Sequence, residues 1–164
     1  MSYLINFPTY DNTISKIINS SYDPIRYSSL ALAIRRIQKI NIEGSFAEVG
    51  VYRGDMSKFI HLLAPERKLY LFDTFEGFPP EDLEHTDDRF KDTSEEILKT
   101  KIGNLNNIII RQGYFSETVS GLENEVFAFI LLDLDLYKPT LAGFKFFYPR
   151  IKSGGYIFVH DYNS

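Results

Sequence analysis

Residues Ser45 to Gly54 read SFAEVGVYRG, and residues Leu69 to Pro79 read LYLFDTFEGFP. The first stretch predicts a buried strand over 45–51 that runs through a glycine-bearing turn into a helix from Asp55. Glu48, Gly50 and Gly54 set the spacing E-x-G-x-x-x-G. Gly50 permits a sharp turn, and Gly54 lets the backbone approach something lying across the helix start. The second stretch predicts another apolar strand, over 68–72, that ends on Asp73. A carboxylate at that tip of a doubly wound sheet stands where a ribose offers its hydroxyls. Together they predict a nucleoside-containing cofactor across the carboxyl ends of parallel strands. The plainer alternative is a strand and tight turn with no ligand.

A dinucleotide calls for G-x-G-x-x-G, because bare backbone must come close to a pyrophosphate. Here EVGVYRG lacks one of those glycines and places a carboxylate ahead of the turn. Glu48 repels a pyrophosphate but accepts a hydrogen bond from an ammonium group. S-adenosylmethionine carries an amine and a sulfonium and no phosphate, so the charge pattern favours it over NAD. In this reading Glu48 and the turn Gly50-Val51-Tyr52-Arg53-Gly54 hold the methionine end. Asp73, followed by Thr74 and Phe75, meets the ribose, while Gly113, Tyr114 and Phe115 receive the adenine.

The bulk properties narrow the class. A chain of 164 residues suits one domain with a real core, here an N-terminal arm and helix over 1–42 and an α/β core over 43–164. A net charge of −4 without a basic run argues against a nucleic-acid partner. With no cysteine, disulfides and thiolate metal sites are excluded. The longest apolar run, 126–132, is too short to span a bilayer, so a cytoplasmic protein without membrane attachment is expected.

Along the chain, Asp23-Pro24 predicts the cap and first turn of a helix over 24–40. Its apolar positions are Ile25, Leu30, Leu32, Ala33, Ile34, Ile37 and Ile40, with Arg35, Arg36 and Lys39 as a solvated face. The first twenty residues, including Phe7-Pro8-Thr9-Tyr10, read as an arm or a short helix. A helix over 55–63 stops near Pro65, and its His61 reads as structural. Residues 81–92 form an acidic loop, solvated or serving as a lid, before the capping-box pattern Thr93-Ser94-Glu95-Glu96. Further strands are expected over 107–111, 127–133 and 156–159. A helix over 137–151, burying Leu141, Phe144, Phe147 and Tyr148, is expected to end at Lys152-Ser153-Gly154-Gly155. The result is an α/β, Rossmann-like, mostly parallel sheet with helices on both faces.

Asp133, Asp135, His160 and Asp161 all fall at the carboxyl ends of strands, the edge where open α/β sheets bind ligands. Three carboxylates brought together repel one another unless a cation or a proton intervenes, which argues for a divalent metal. Oxygen ligands with one imidazole suit Mg²⁺ or Mn²⁺. Such an ion holds substrate oxygens and eases deprotonation of a hydroxyl, and a remaining carboxylate takes the proton. The competing reading makes Asp135 merely a cap for the helix that follows.

EVGVYRG, LFDTFEGFP, LLDLDLYKPT and GGYIFVHDY, in this order, resemble the macrocin O-methyltransferase-like family from about residue 24 to the end. The resemblance implies a class I methyltransferase fold and S-adenosylmethionine-dependent, metal-dependent O-methylation of a sugar or glycosylated metabolite. It implies Asp133, His160 and Asp161 as metal ligands, Asp133 bordering the cofactor as well, and Asp135 as general base. The family's last block carries Asp-Asp-Tyr where this chain has His160-Asp161-Tyr162. The imidazole lowers the negative charge of the site, shifts preference toward Mn²⁺, and makes His160 a second candidate base. The family fold also continues past the fifth strand, so the expectation is a piece of a longer protein; covering of the edge by a second copy is the other reading. The rival functions are a non-catalytic cofactor-binding or interaction domain and, more weakly, an NAD-dependent oxidoreductase.

Overall fold

The computed structural model describes residues 10–80, 83, 85 and 87–161. Five parallel strands form one sheet: β1 Ser45–Val49, β2 Leu69–Asp73, β3 Ile108–Gln112, β4 Phe127–Leu132 and β5 Ile151–Val159. Their spatial order is β3-β2-β1-β4-β5, so the chain reverses direction across the sheet between β1 and β4. That reversal opens a crevice beyond the carboxyl ends of β1 and β4, and every element of interest converges there.

Helices cover both faces. On one lie α1 Asn12–Ser20, α2 Pro24–Lys39, α3 Asp55–Leu63 and α4 Glu95–Ile102, packed over Phe46, Leu69, Leu71, Phe129 and Leu131. On the other lie α5 Phe115–Thr118 and α6 Tyr137–Phe147, over Ala47, Val49, Phe72, Ile130 and Leu132. Alternate residues of each central strand therefore serve opposite cores, which is why β1 and β4 are buried along their whole length. Phe147 anchors the second core, its ring centroid 4.9 Å from Phe127 and 5.5 Å from Phe115.

Local chemistry sets the helix starts. The Asp11 carboxylate accepts from the amides of Thr13 and Ile14, and Asp23 accepts from Arg26 N with Pro24 in the first turn. The short-helix reading of the N-terminal segment thus holds for α1; Phe7-Pro8-Thr9 lies outside the described residues, as do residues 81, 82, 84 and 86 of the expected lid and Tyr162. Ser94 caps α4 through Ile97 N, whereas the Thr93 hydroxyl donates to the Tyr52 carbonyl.

Four expectations are corrected. The helix expected over 137–151 ends at Phe147, and a 3₁₀ turn over Tyr148–Arg150 leads into β5. Pro149 supplies no amide to continue the helical ladder, and the chain tightens to the 3₁₀ turn there. Lys152-Ser153-Gly154-Gly155 accordingly does not terminate a helix but belongs to β5, at a register break opposite Phe127 and Phe129. A Cβ on Gly155 would sit 2.6 Å from the Ala128 carbonyl oxygen, a close passage between strands, whereas Gly154, at φ +86°, makes room for the Ile42 side chain. Finally, of the side expected to be buried on α6 only Phe147 is; Leu141, Phe144 and Tyr148 face outward with Tyr137. On α2, Ile25, Leu32 and Ile40 are likewise exposed, while Leu30, Ala33, Ile34 and Ile37 are buried. No helix among the described residues is long and apolar enough to cross a membrane.

Candidate functional site

A cleft of about 790 Å³ lies over the carboxyl ends of β1, β2 and β4. Its seam is the contact between Gly50 and the backbone after β4. Asp133 N donates to the Val49 carbonyl at 2.8 Å, and Gly50 N donates to the Phe72 carbonyl at 2.9 Å. Gly50 has φ +85°, and a Cβ there would fall 1.9 Å from the Asp133 carbonyl oxygen. Only glycine fits, on both counts.

Asp73 organises the first half of the cleft. Its Oδ2 accepts from Val51 N at 2.6 Å and Tyr52 N at 2.8 Å, and its Oδ1 accepts from Phe75 N at 2.8 Å. The carboxylate expected to meet a ribose therefore first ties the turn after β1 to the tip of β2, with one lone-pair direction on Oδ1 left over. Tyr52 is held at φ +52°, and its hydroxyl donates to Asp92 at 2.9 Å.

Glu48 is the buried charge of this half. Ser57 of α3 donates to it, but desolvation outweighs that bond and pushes its pKa up to about 8, helped by Asp133 and opposed by Arg26. A carboxyl in this state ionises readily only when a cation arrives beside it.

The second half is the cluster at the tips of β4 and β5. Asp133, Asp135, His160 and Asp161 each bring one ligand atom within 4.8 Å of the others. His160 Nδ1 lies 2.9 Å from a carboxylate oxygen of Asp133 and 2.9 Å from one of Asp161, yet it is buried without a hydrogen bond to either. Such an orphaned nitrogen between two carboxylates is the donor set a divalent cation fits. Burial raises the Asp135 pKa to about 6, with the Asp161 hydrogen bond and the charges of Asp133 and Asp161 adding to it. Asp135 and Asp161 both stand at positive φ, +57° and +55°. For residues other than glycine that conformation is sparsely populated, and it gathers at functional sites. Leu136, not Asp135, occupies the cap position of α6, and no side-chain cap bond is made there.

The structure brings most sequence-predicted residues to the cleft. Val51, Tyr52, Arg53, Thr74, Gly113 and Tyr114 line it. Phe115 contributes to the wall, but its ring belongs to the second core, 5.2 Å from Phe72. Two residues do not line it. Gly54 caps α3 and leaves room for Leu98 of α4, whose Cδ1 would lie 2.3 Å from an added Cβ. Phe75 is buried in the first core.

Sequence reasoning missed Arg26, which forms an ion pair with Asp133 from the first turn of α2. It also missed an aromatic wall in which Phe90 meets Tyr52 and Phe78 edge-on, both at 5.2 Å, with Arg89 over the Phe78 ring. These contacts join residues far apart in the chain, and no local pattern announces them.

The model of the macrocin O-methyltransferase (TylF) family matches residues 23–164. The chain is 25% identical over 156 residues to 8-demethyl-8-(2,3-dimethoxy-alpha-L-rhamnosyl)-tetracenomycin-C 4'-O-methyltransferase of Streptomyces olivaceus, covering 84% of this chain and 60% of that protein. It is 23% identical over 187 residues to demethyldecarbamoylnovobiocin O-methyltransferase of Streptomyces niveus, covering 96% and 71%. The solved structure of the O-methyltransferase NovP superposes with a TM-score of 0.74 at 22% identity, covering 85% of this chain and 66% of that one. The fold is thus shared, and the chain spans about 60% of the length of the first of these relatives.

Proposed function

Because this chain belongs to the macrocin O-methyltransferase family, we propose that it takes part in methyl transfer from S-adenosylmethionine to a hydroxyl of a sugar or glycosylated metabolite, assisted by a divalent cation. The observation that carries this reading is the meeting of two sites across one seam. A buried carboxyl suited to an ammonium lies beside Gly50, and an acid–imidazole cluster lies at the neighbouring strand tips.

Asp133, His160 and Asp161 are the side chains that would hold Mg²⁺ or Mn²⁺. A bound cation would supply Lewis-acid polarisation and a lowered pKa for an acceptor hydroxyl. Asp135 takes the proton: its raised pKa brings it closer to neutral pH, where a general base is most effective. His160 is the poorer base, because its Nδ1 is turned toward Asp133 and Asp161. With donor and acceptor bound, the acceptor oxygen would take the methyl carbon, the electrons of the carbon–sulfur bond would stay on sulfur as a neutral thioether, and Asp135 would receive the hydroxyl proton. The turn from Gly50 to Arg53 and Glu48 orient the methionine end. Asp73 with its remaining lone pair meets the ribose, and Gly113 with Tyr114 borders the adenine. A pyrophosphate brings no cation to Glu48, so NAD would leave that buried carboxyl unanswered, whereas an ammonium would ionise and pair with it.

Isothermal titration calorimetry with S-adenosylhomocysteine, beside NAD and beside MnCl₂, tests the reading. Binding of the thioether and of Mn²⁺, with no binding of NAD, is expected. A chain that binds NAD and not S-adenosylhomocysteine would end it.

A further inference from the structure

Three cationic side chains line the cleft among the described residues, and two of them stay at the rim. Arg53 pairs with Asp92 and Arg89 with Asp87, their side chains 46% and 65% exposed. Arg26 is different. Its side chain is only 20% exposed, one amine of the guanidinium donates to Asp133, and its Nε is buried without a partner. A guanidinium carries five donors in a rigid fork, and a buried donor left unmade is costly. This one needs more acceptors than the protein supplies.

Arg26 also sits close enough to Glu48 for its charge to act on that carboxyl. A zwitterionic amino acid brings an ammonium and a carboxylate on a single carbon, and neither enters a poorly hydrated crevice without an opposite charge. Glu48 answers only the ammonium. The carboxylate would otherwise face Asp133 and Asp73, both acidic. We propose that Arg26 is the anchor for the α-carboxylate of the cofactor's methionine end, forming with Glu48 a two-point clamp for the amino-acid group. The inference rests on the S-adenosylmethionine reading above and extends it to a residue outside the α/β core. The fork can take a second carboxylate without releasing Asp133, since its donors point along two edges. Cofactor binding then ties α2 to the seam between β1 and β4.

The test compares two ligands on three proteins, in EDTA so that no cation contributes. Wild type, Arg26→Gln and Arg26→Lys are titrated calorimetrically with S-adenosylhomocysteine and with 5'-methylthioadenosine, which keeps the nucleoside and thioether but lacks the amino acid. Arg26→Gln should weaken S-adenosylhomocysteine roughly 10- to 100-fold, the worth of a charged hydrogen bond. It should leave methylthioadenosine within about twofold, and Arg26→Lys should recover part of the loss. Equal weakening of both ligands would reduce Arg26 to a structural part, and an unchanged affinity for S-adenosylhomocysteine would overturn the clamp outright. Wild type binding neither ligand would overturn the cofactor reading beneath it, a result distinct from both.

Discussion

The tip of β2 and the tips of β4 and β5 both carry aspartates, and they handle the charge in opposite ways. Asp73 is met by three backbone amides, so its carboxylate is satisfied within the protein and helps to build the turn it touches. Asp133, Asp135 and Asp161 crowd one another around an imidazole, with Arg26 and His160 beside Asp133 and the charge of Arg89 acting on Asp135 to offset them in part. The first arrangement is complete in itself. The second is held together by the rest of the fold and gains from whatever positive charge reaches it. One half of the cleft is therefore scaffold and the other is chemistry.

Removing the proton acceptor should produce the largest effect. Asp135→Asn is expected to lower turnover by about 10²–10⁴-fold in a methyl-transfer assay while S-adenosylhomocysteine affinity stays nearly unchanged. A large loss of affinity would place Asp135 in the scaffold half instead. The stability of the two halves gives the next contrast, read by urea unfolding. Asp73→Ala strands three amides and should cost about 2–4 kcal/mol. Asp161→Asn relieves like-charge repulsion and should stay within about 0.5 kcal/mol of wild type or gain slightly. Equal losses at the two positions would erase the distinction.

A pH dependence offers the last contrast, and its sign is definite. Glu48 ionises near 4.5 when unfolded and near 8 in the fold, so the native state binds more protons between these values. Stability of the metal-free protein should fall as pH rises through that window and level off above it. Asp135, raised to about 6, acts in the same direction only at the lower end. His61, held below its ordinary value by burial, acts in the opposite direction up to about pH 6.5; between pH 7 and 8 the slope belongs to Glu48, and Glu48→Gln should flatten it. Each kcal/mol appears as a Tm shift on the order of 3 °C at this chain length.

The scaffold half was also the more legible in sequence. SFAEV and LYLFD are apolar runs because β1 and β2 are interior strands, and Gly50 is glycine because a strand-end turn there meets another backbone. The acidic cluster was readable as well, since Asp133 directly follows an apolar strand and Asp135 and Asp161 lie within three residues of a strand end. What escaped was contact between distant segments. Arg26 stands in the first turn of an amphipathic helix, and nothing near it foretells Asp133, 107 positions away. Gly54 looked like a ligand-facing glycine, but the group it admits is a leucine of α4. The glycines at 154 and 155 followed a helix and read as its end, although the helix had already given way to a 3₁₀ turn at Pro149; Gly155 is required by the strand opposite and Gly154 by Ile42.

The contact at Gly50 has a consequence for anyone wishing to redirect this scaffold. No side chain can be introduced there without levering the two strand ends apart, so donor and acceptor preferences share a joint that mutation cannot retune separately. Laboratory selection for new acceptors should leave that position invariant and accumulate its changes at the periphery, around Phe78 and Phe90, where a ring can be exchanged without moving the sheet.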